Sequence, residues 1–80
     1  MRTIVKKSIY STKSKQFQEI LVKARTDAGL TQQVLAAKID RHQSFIAKYE
    51  GGERRLDVIE FIEICHVIGI NPVKVIKQLA

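Results

Sequence analysis

Gly29–Gly52 reads GLTQQVLAAKIDRHQSFIAKYEGG: two short amphipathic segments joined by too few residues to do more than turn. Thr31 is placed to cap a helix in which Leu35, Ala36 and Ile39 recur at helical spacing and face inward. A full capping box would need Glu or Gln at Val34, so this cap is half built. After Ile39 comes a break at Asp40–Gln43. A third helix then runs from about Gln43 to Glu50, where Gly51 and Gly52 stop it.

At about 100° per residue from Gln43, Phe45, Tyr49 and Ile46 fall near 200°, 240° and 300°, while Gln43, Ala47, Ser44 and Lys48 occupy the arc from zero to about 140°. One face is core. The other carries Gln, Ser, a small Ala and one Lys with no acid, whereas an ordinary solvated face is rich in Glu and Lys. Those side chains suit base edges: Gln pairs bidentately with adenine, Ser donates or accepts, Ala approaches a thymine methyl, and Lys reaches guanine or phosphate. Glu50, near 340° on the same estimate, lies on the seam between the two arcs, where a lone carboxylate is poorly solvated. Arg25 is its expected partner, and the pair would tie the first helix to the end of the third.

Working outward, Phe17, Ile20, Leu21, Ala24 and Ala28 mark a first helix that Ser11, Thr12 or Ser14 can cap and Gly29 ends. Residues 1–11 show no helical period and read as an extended or mobile arm. Asp57 can cap a fourth helix over Val58 to about Val67, closed by Gly69, and Asn71-Pro72 opens a fifth to about Leu79. No strand pattern or repeat is present. The expectation is an all-α, five-helix bundle over residues 12–80, preceded by the arm.

The 80 residues are 45% hydrophobic and 28% charged, the make-up of one small folded domain rather than a disordered chain. The net charge is +6 and is unevenly spread. Arg2, Lys6, Lys7, Lys13 and Lys15 stand in the first fifteen residues with no acid, and Arg41, Lys48, Arg54 and Arg55 outnumber Glu50 and Glu53 in the middle. A polyanion binder needs charge so placed. One cysteine forms no internal disulfide, no run has the length of a membrane span or secretory signal, and the expected location is the cytoplasm. Cys65 and His66 are adjacent, so on a helix they point about 100° apart and cannot share one metal. Cys65 reads as a buried small hydrophobe, and neither metal, cofactor nor catalytic cluster is expected.

From Gly29 to Gly69 the chain resembles the phage repressor and Cro-type (XRE-like) helix-turn-helix family: GLTQQVLAAKI, then IAKYEGGERR, then a helix ending in VIG, with a weaker continuation into INP. Leu30-Thr31-Gln32, Leu35-Ala36, Ile46, Glu50 and Gly52 carry the likeness, which implies a repressor-like bundle whose second and third helices form the helix-turn-helix. It further implies that the third helix lies in the major groove of double-stranded DNA with its N-terminal residues on base edges. Gln43 and Ser44 would then lead, Ala47 and Lys48 follow one turn on, and Gln32 would hold a phosphate. Arg41 and His42 in the turn would touch phosphate or a flanking base, and Arg54 and Arg55 would grip backbone. Arg25 and Glu50 fall on the family's buried-pair positions. The chain departs from the pattern at Asp40, where the family usually has Gly, and at His42, where a capping Ser or a Pro is usual; Asp tolerates left-handed backbone better than most residues.

In the fourth helix Phe61, Cys65 and Ile68 make a core stripe, yet Ile59, Ile62, Ile64 and Val67 carry apolar surface round most of the circumference, leaving Glu60, Glu63 and His66 polar. The fifth helix, another copy of the chain, or both must cover it. The favoured reading is a homodimer through helices four and five on a pseudo-palindromic operator, acting as a bacterial or phage repressor. The alternative is an antitoxin or protein-interaction module that neutralises a partner protein and also binds DNA.

Overall fold

The computed structural model describes the backbone from Arg2 to Ala80 and the side chains from Thr12 onward. Five helices follow in order: α1 (Arg2–Asp27), α2 (Gln32–Lys38), α3 (Gln43–Glu50), α4 (Val58–Ile68) and α5 (Pro72–Leu79). The fold is all-α.

The caps explain most boundaries. Thr31 Oγ1 accepts the Val34 backbone N–H at 3.1 Å, opening α2 without help from position 34. Asp57 and Glu60 form a reciprocal capping box on α4, with Glu60 N–H on Asp57 Oδ1 at 2.7 Å and Asp57 N–H on Glu60 Oε1 at 3.0 Å. Gly69 closes α4 in the left-handed region at φ 91°. Asn71 Oδ1 accepts from Val73 N–H at 2.8 Å, and Pro72 takes the first helical position of α5. His42 precedes α3 with no side-chain cap bond.

One expectation is corrected. The segment read as an extended arm is helical backbone from Arg2, continuous with the rest of α1; its side chains through Ser11 lie outside the described residues. No glycine or proline interrupts the run to Asp27. Each residue added to an existing helix gains a hydrogen bond for two fixed dihedrals, so α1 propagates past Ser11, Thr12 and Ser14 and none of them serves as its cap. Further along, Lys13 Nζ donates to the Leu79 carbonyl and Gln16 Nε2 to that of Gln78 at 3.4 Å. These carbonyls end α5 and have no partner within it, so α1 satisfies them.

The core gathers one apolar stripe from each helix. Leu21, Leu35, Ala36, Phe45, Ile46, Tyr49, Phe61, Ile64, Cys65 and Val75 are buried, with Phe17, Ile20, Ile39 and Ile68 packed against them. Phe17 meets Phe61 edge-on at 5.3 Å between centroids, and Phe45 meets Tyr49 likewise at 5.6 Å. Cys65 is fully buried, and the loss of water pushes its thiol up to about 11. Glu60, expected at the surface of α4, is 7% exposed.

Two backbone positions set the turns around α3. Asp40 adopts φ 56°, the left-handed geometry the helix-turn-helix bend needs, and is the one non-glycine residue to do so among the described residues. Gly52 sits at φ +83°, where a Cβ would come within 3.1 Å of Gln18 Nε2 on α1. This lets the chain leaving α3 press against α1.

Candidate nucleic-acid interface

The α2–turn–α3 unit presents its polar face to solvent. Gln43, Ser44 and Lys48 are exposed and Ala47 is half-buried, while Phe45, Ile46 and Tyr49 point into the core. The split follows the arcs set by helical geometry.

Behind Gln43 runs a chain of polar side chains into the interior. Gln43 Nε2 donates to Gln32 Oε1 at 2.6 Å, and Gln32 Nε2 donates to Glu50 Oε1 at 2.9 Å. Arg25 closes the chain as a fork, Nε on Glu50 Oε2 at 2.7 Å and Nη2 on Oε1 at 3.0 Å, and sends Nη1 to the Leu30 carbonyl at 2.7 Å. The Arg25 and Glu50 side chains are only 11% and 6% exposed. A bidentate pair this dry is geometrically exact about its partners, because every lost hydrogen bond leaves a buried charge unsatisfied. Helices α1, α2 and α3 are thereby joined at one carboxylate. Gln32, expected to hold a phosphate, bridges the outermost glutamine and the buried pair and is itself half-buried.

A second cluster lies at the flanks of α3. Arg54 grips Glu60 with both terminal nitrogens, Nη1 on Oε1 and Nη2 on Oε2, each at 3.0 Å, and Arg41 Nη2 reaches Oε2 at 3.2 Å. Both guanidinium carbons lie 4.6 Å from the centre of the Phe45 ring, within cation–π range. With the Asp57 N–H, four donors converge on one carboxylate. The Arg54 hydrogen bonds first, then that N–H and the arginine charges, hold Glu60 down to about 2. Sequence reasoning assigned Arg41 and Arg54 to DNA alone and missed Glu60; the Asp-x-x-Glu spacing of a capping box was the one signal available. His42 and Arg55 are exposed beside the two arginines, and the Arg55 carbonyl accepts from Arg54 Nη1 at 2.9 Å.

A family model described as helix-turn-helix matches residues 21–75, and an XRE-family like protein from Pseudomonas syringae pv. tomato str. DC3000 has the same architecture. This chain belongs to the XRE helix-turn-helix family. The Pseudomonas structure superposes with a TM-score of 0.89 at 43% identity, covering 94% of this chain and 92% of its own. No curated protein matches the chain. XRE-family membership makes it a DNA-binding transcription regulator, from a family of regulators rather than enzymes, with double-stranded DNA as its partner. Residues 1–20 precede the matched segment, so the first turns of α1 are an addition to the part the family model describes. Among the described residues no group of His, Cys, Asp or Glu is placed to hold a metal ion, and no helix is long and apolar enough to cross a membrane.

Proposed function

We propose that the chain is a cytoplasmic repressor that occupies a pseudo-palindromic operator as a homodimer, reading the major groove with α3. The hydrogen bond from Gln43 to Gln32 carries this reading. It uses one N–H of the Gln43 amide and leaves the second N–H and Oε1, the donor and acceptor that the N7 and N6 edge of adenine requires. The amide is held by a partner rather than left to rotate, so part of its ordering cost is met before DNA arrives. Ser44, Ala47 and Lys48 extend the contact along the groove. Gln32, His42, Arg55 and the outer edges of Arg41 and Arg54 serve the phosphates, and the basic start of α1 adds salt-dependent attraction.

The dimer face is proposed on α4 and α5. Val58, Ile59 and Ile62 are 69%, 66% and 44% exposed, and Val73 and Ile76 on the neighbouring helix are 58% and 52% exposed. So much apolar surface on two adjacent helices calls for a partner, and a second copy supplies the two-fold symmetry of a palindrome. An unlike protein seated on the same face is the antitoxin reading; a heterodimer recovered by pull-down with a co-transcribed neighbour would favour it.

Selection of bound sites from random duplexes at two salt concentrations tests the reading. A symmetric site is expected. Gln43→Ala should cost about 1–3 kcal/mol on that site and relax one base pair per half. Unchanged binding to selected and random DNA would overturn the assignment of α3. Sedimentation should give a dimer that Ile59→Asp dissociates, and a wild-type monomer with and without DNA would exclude the two-fold arrangement.

A further inference from the structure

We propose that Glu60 is a positioning residue for base readout: by holding Arg41 and Arg54 against Phe45, it fixes the angle at which α3 meets the groove. The inference rests on α3 being the reading helix and adds a residue on a different helix to that machinery.

The geometry is specific. Arg41 stands just before α3, Arg54 just beyond it, and Phe45 within it, so one carboxylate on α4 gathers both flanks of the reading helix over a single ring. Glu60 cannot swing, because its backbone N–H and its carboxylate are both engaged in the capping box with Asp57. Two guanidiniums over one aromatic ring repel each other unless an anion lies between them. Without Glu60 they separate, and each becomes a mobile cation at the edge of the DNA surface. The Arg25–Glu50–Gln32 chain fixes the Gln43 amide from inside, whereas Glu60 fixes the ends of the helix that carries it. Readout by bidentate contacts tolerates only about 0.5 Å or 10–20° of error, so the flank clamp bears on discrimination rather than on attraction.

Affinities for a selected site and a scrambled duplex of equal length are to be measured over a salt series for the wild type, Glu60→Gln, Arg54→Met and Gln43→Ala. Each is assayed at a temperature where circular dichroism shows it folded. Gln at position 60 can still accept the Asp57 N–H, and Met at 54 still covers the ring. Glu60→Gln is expected to lower the selected-to-scrambled ratio by about tenfold while scrambled DNA binds as well or better, with a salt slope steeper by about one to two as the arginines reach phosphates. Arg54→Met should lower the ratio without steepening the slope. The proposal is overturned if both variants keep the ratio within about twofold of wild type while Gln43→Ala lowers it. It is also overturned if Glu60→Gln loses affinity for both duplexes in equal proportion, the mark of a stability effect alone. A ratio indifferent to Gln43→Ala would instead bring down the reading of α3 itself.

Discussion

Replacing Arg25 by Met tests how much of this small domain hangs on one buried pair. The change removes two hydrogen bonds from Glu50 and one from the Leu30 carbonyl, leaving a carboxylate only 6% exposed with Gln32 as its remaining side-chain donor. Breaking a buried pair on one side costs about 3–5 kcal/mol, because a charge is stranded out of water. A domain of this length is stable by about 4–12 kcal/mol in total, so the single change removes from a quarter to all of it. For a domain this small the melting temperature should drop by roughly 12 °C or more. Glu50→Gln alone strands the guanidinium instead and should fall in the same range. The double change, Arg25→Met with Glu50→Gln, removes both charges and should cost at least about 1–3 kcal/mol less than the sum of the singles. Urea unfolding followed by circular dichroism gives the three values, compared at a common slope. Additivity within about 0.5 kcal/mol would refute the claim that the pair ties α1 to α3.

Acid should weaken the fold through Glu60. Its carboxyl titrates near 2 in the folded chain against 4.5 ordinarily, so the unfolded chain binds the extra proton between those values. The contribution is therefore complete above about pH 4.5 and lost as pH falls toward 2, and Glu60→Gln should flatten urea stability across that window. Gly52→Ala combines left-handed backbone with the close approach of Gln18 and should cost more than Gly69→Ala, which has the same strain of about 1–2 kcal/mol but open space around it; equal losses on thermal melting would show that Gln18 moves aside freely. Tyr49→Phe should be neutral or stabilising, since the buried hydroxyl has no hydrogen-bond partner among the described residues and burial pushes its ionisation upward; a loss above about 1 kcal/mol would mean it is bonded in solution.

Much of this arrangement was legible because it is local. Helical spacing assigned the buried face of α3 and, through Phe61 and Cys65, part of that of α4, where Ile64 is buried too and Ile68 only half-buried; Thr31, Asp57 and Asn71 marked three helix starts, and Asp40 suited a left-handed turn by its own chemistry. The start of α1 was not legible. A hydroxyl at Ser11, Thr12 or Ser14 can end a helix but does not compel one to end, and nothing upstream breaks the backbone. Glu60 was misjudged for a different reason: its partners come from Arg41 on the far side of α3 and Arg54 in a loop, and spacing within α4 carries no record of either. Gln32 shows the same limit. Its two partners were not legible, because only the packed fold brings Gln43 and Glu50 to the ends of its amide.

The bond between Gln43 and Gln32 has a consequence for how such a regulator diverges. With α3 reading the groove as proposed, position 43 is not an independent letter of a recognition code. A substitution that changes the base it prefers also withdraws the donor from Gln32 Oε1, and the disturbance passes to Glu50 and Arg25. New operator preference at this position is therefore epistatic with position 32, and a duplicated copy acquires an orthogonal site most readily by changing the two glutamines together. Ser44 and Lys48, exposed and outside this hydrogen-bonded chain, are where single-step drift in specificity should accumulate first.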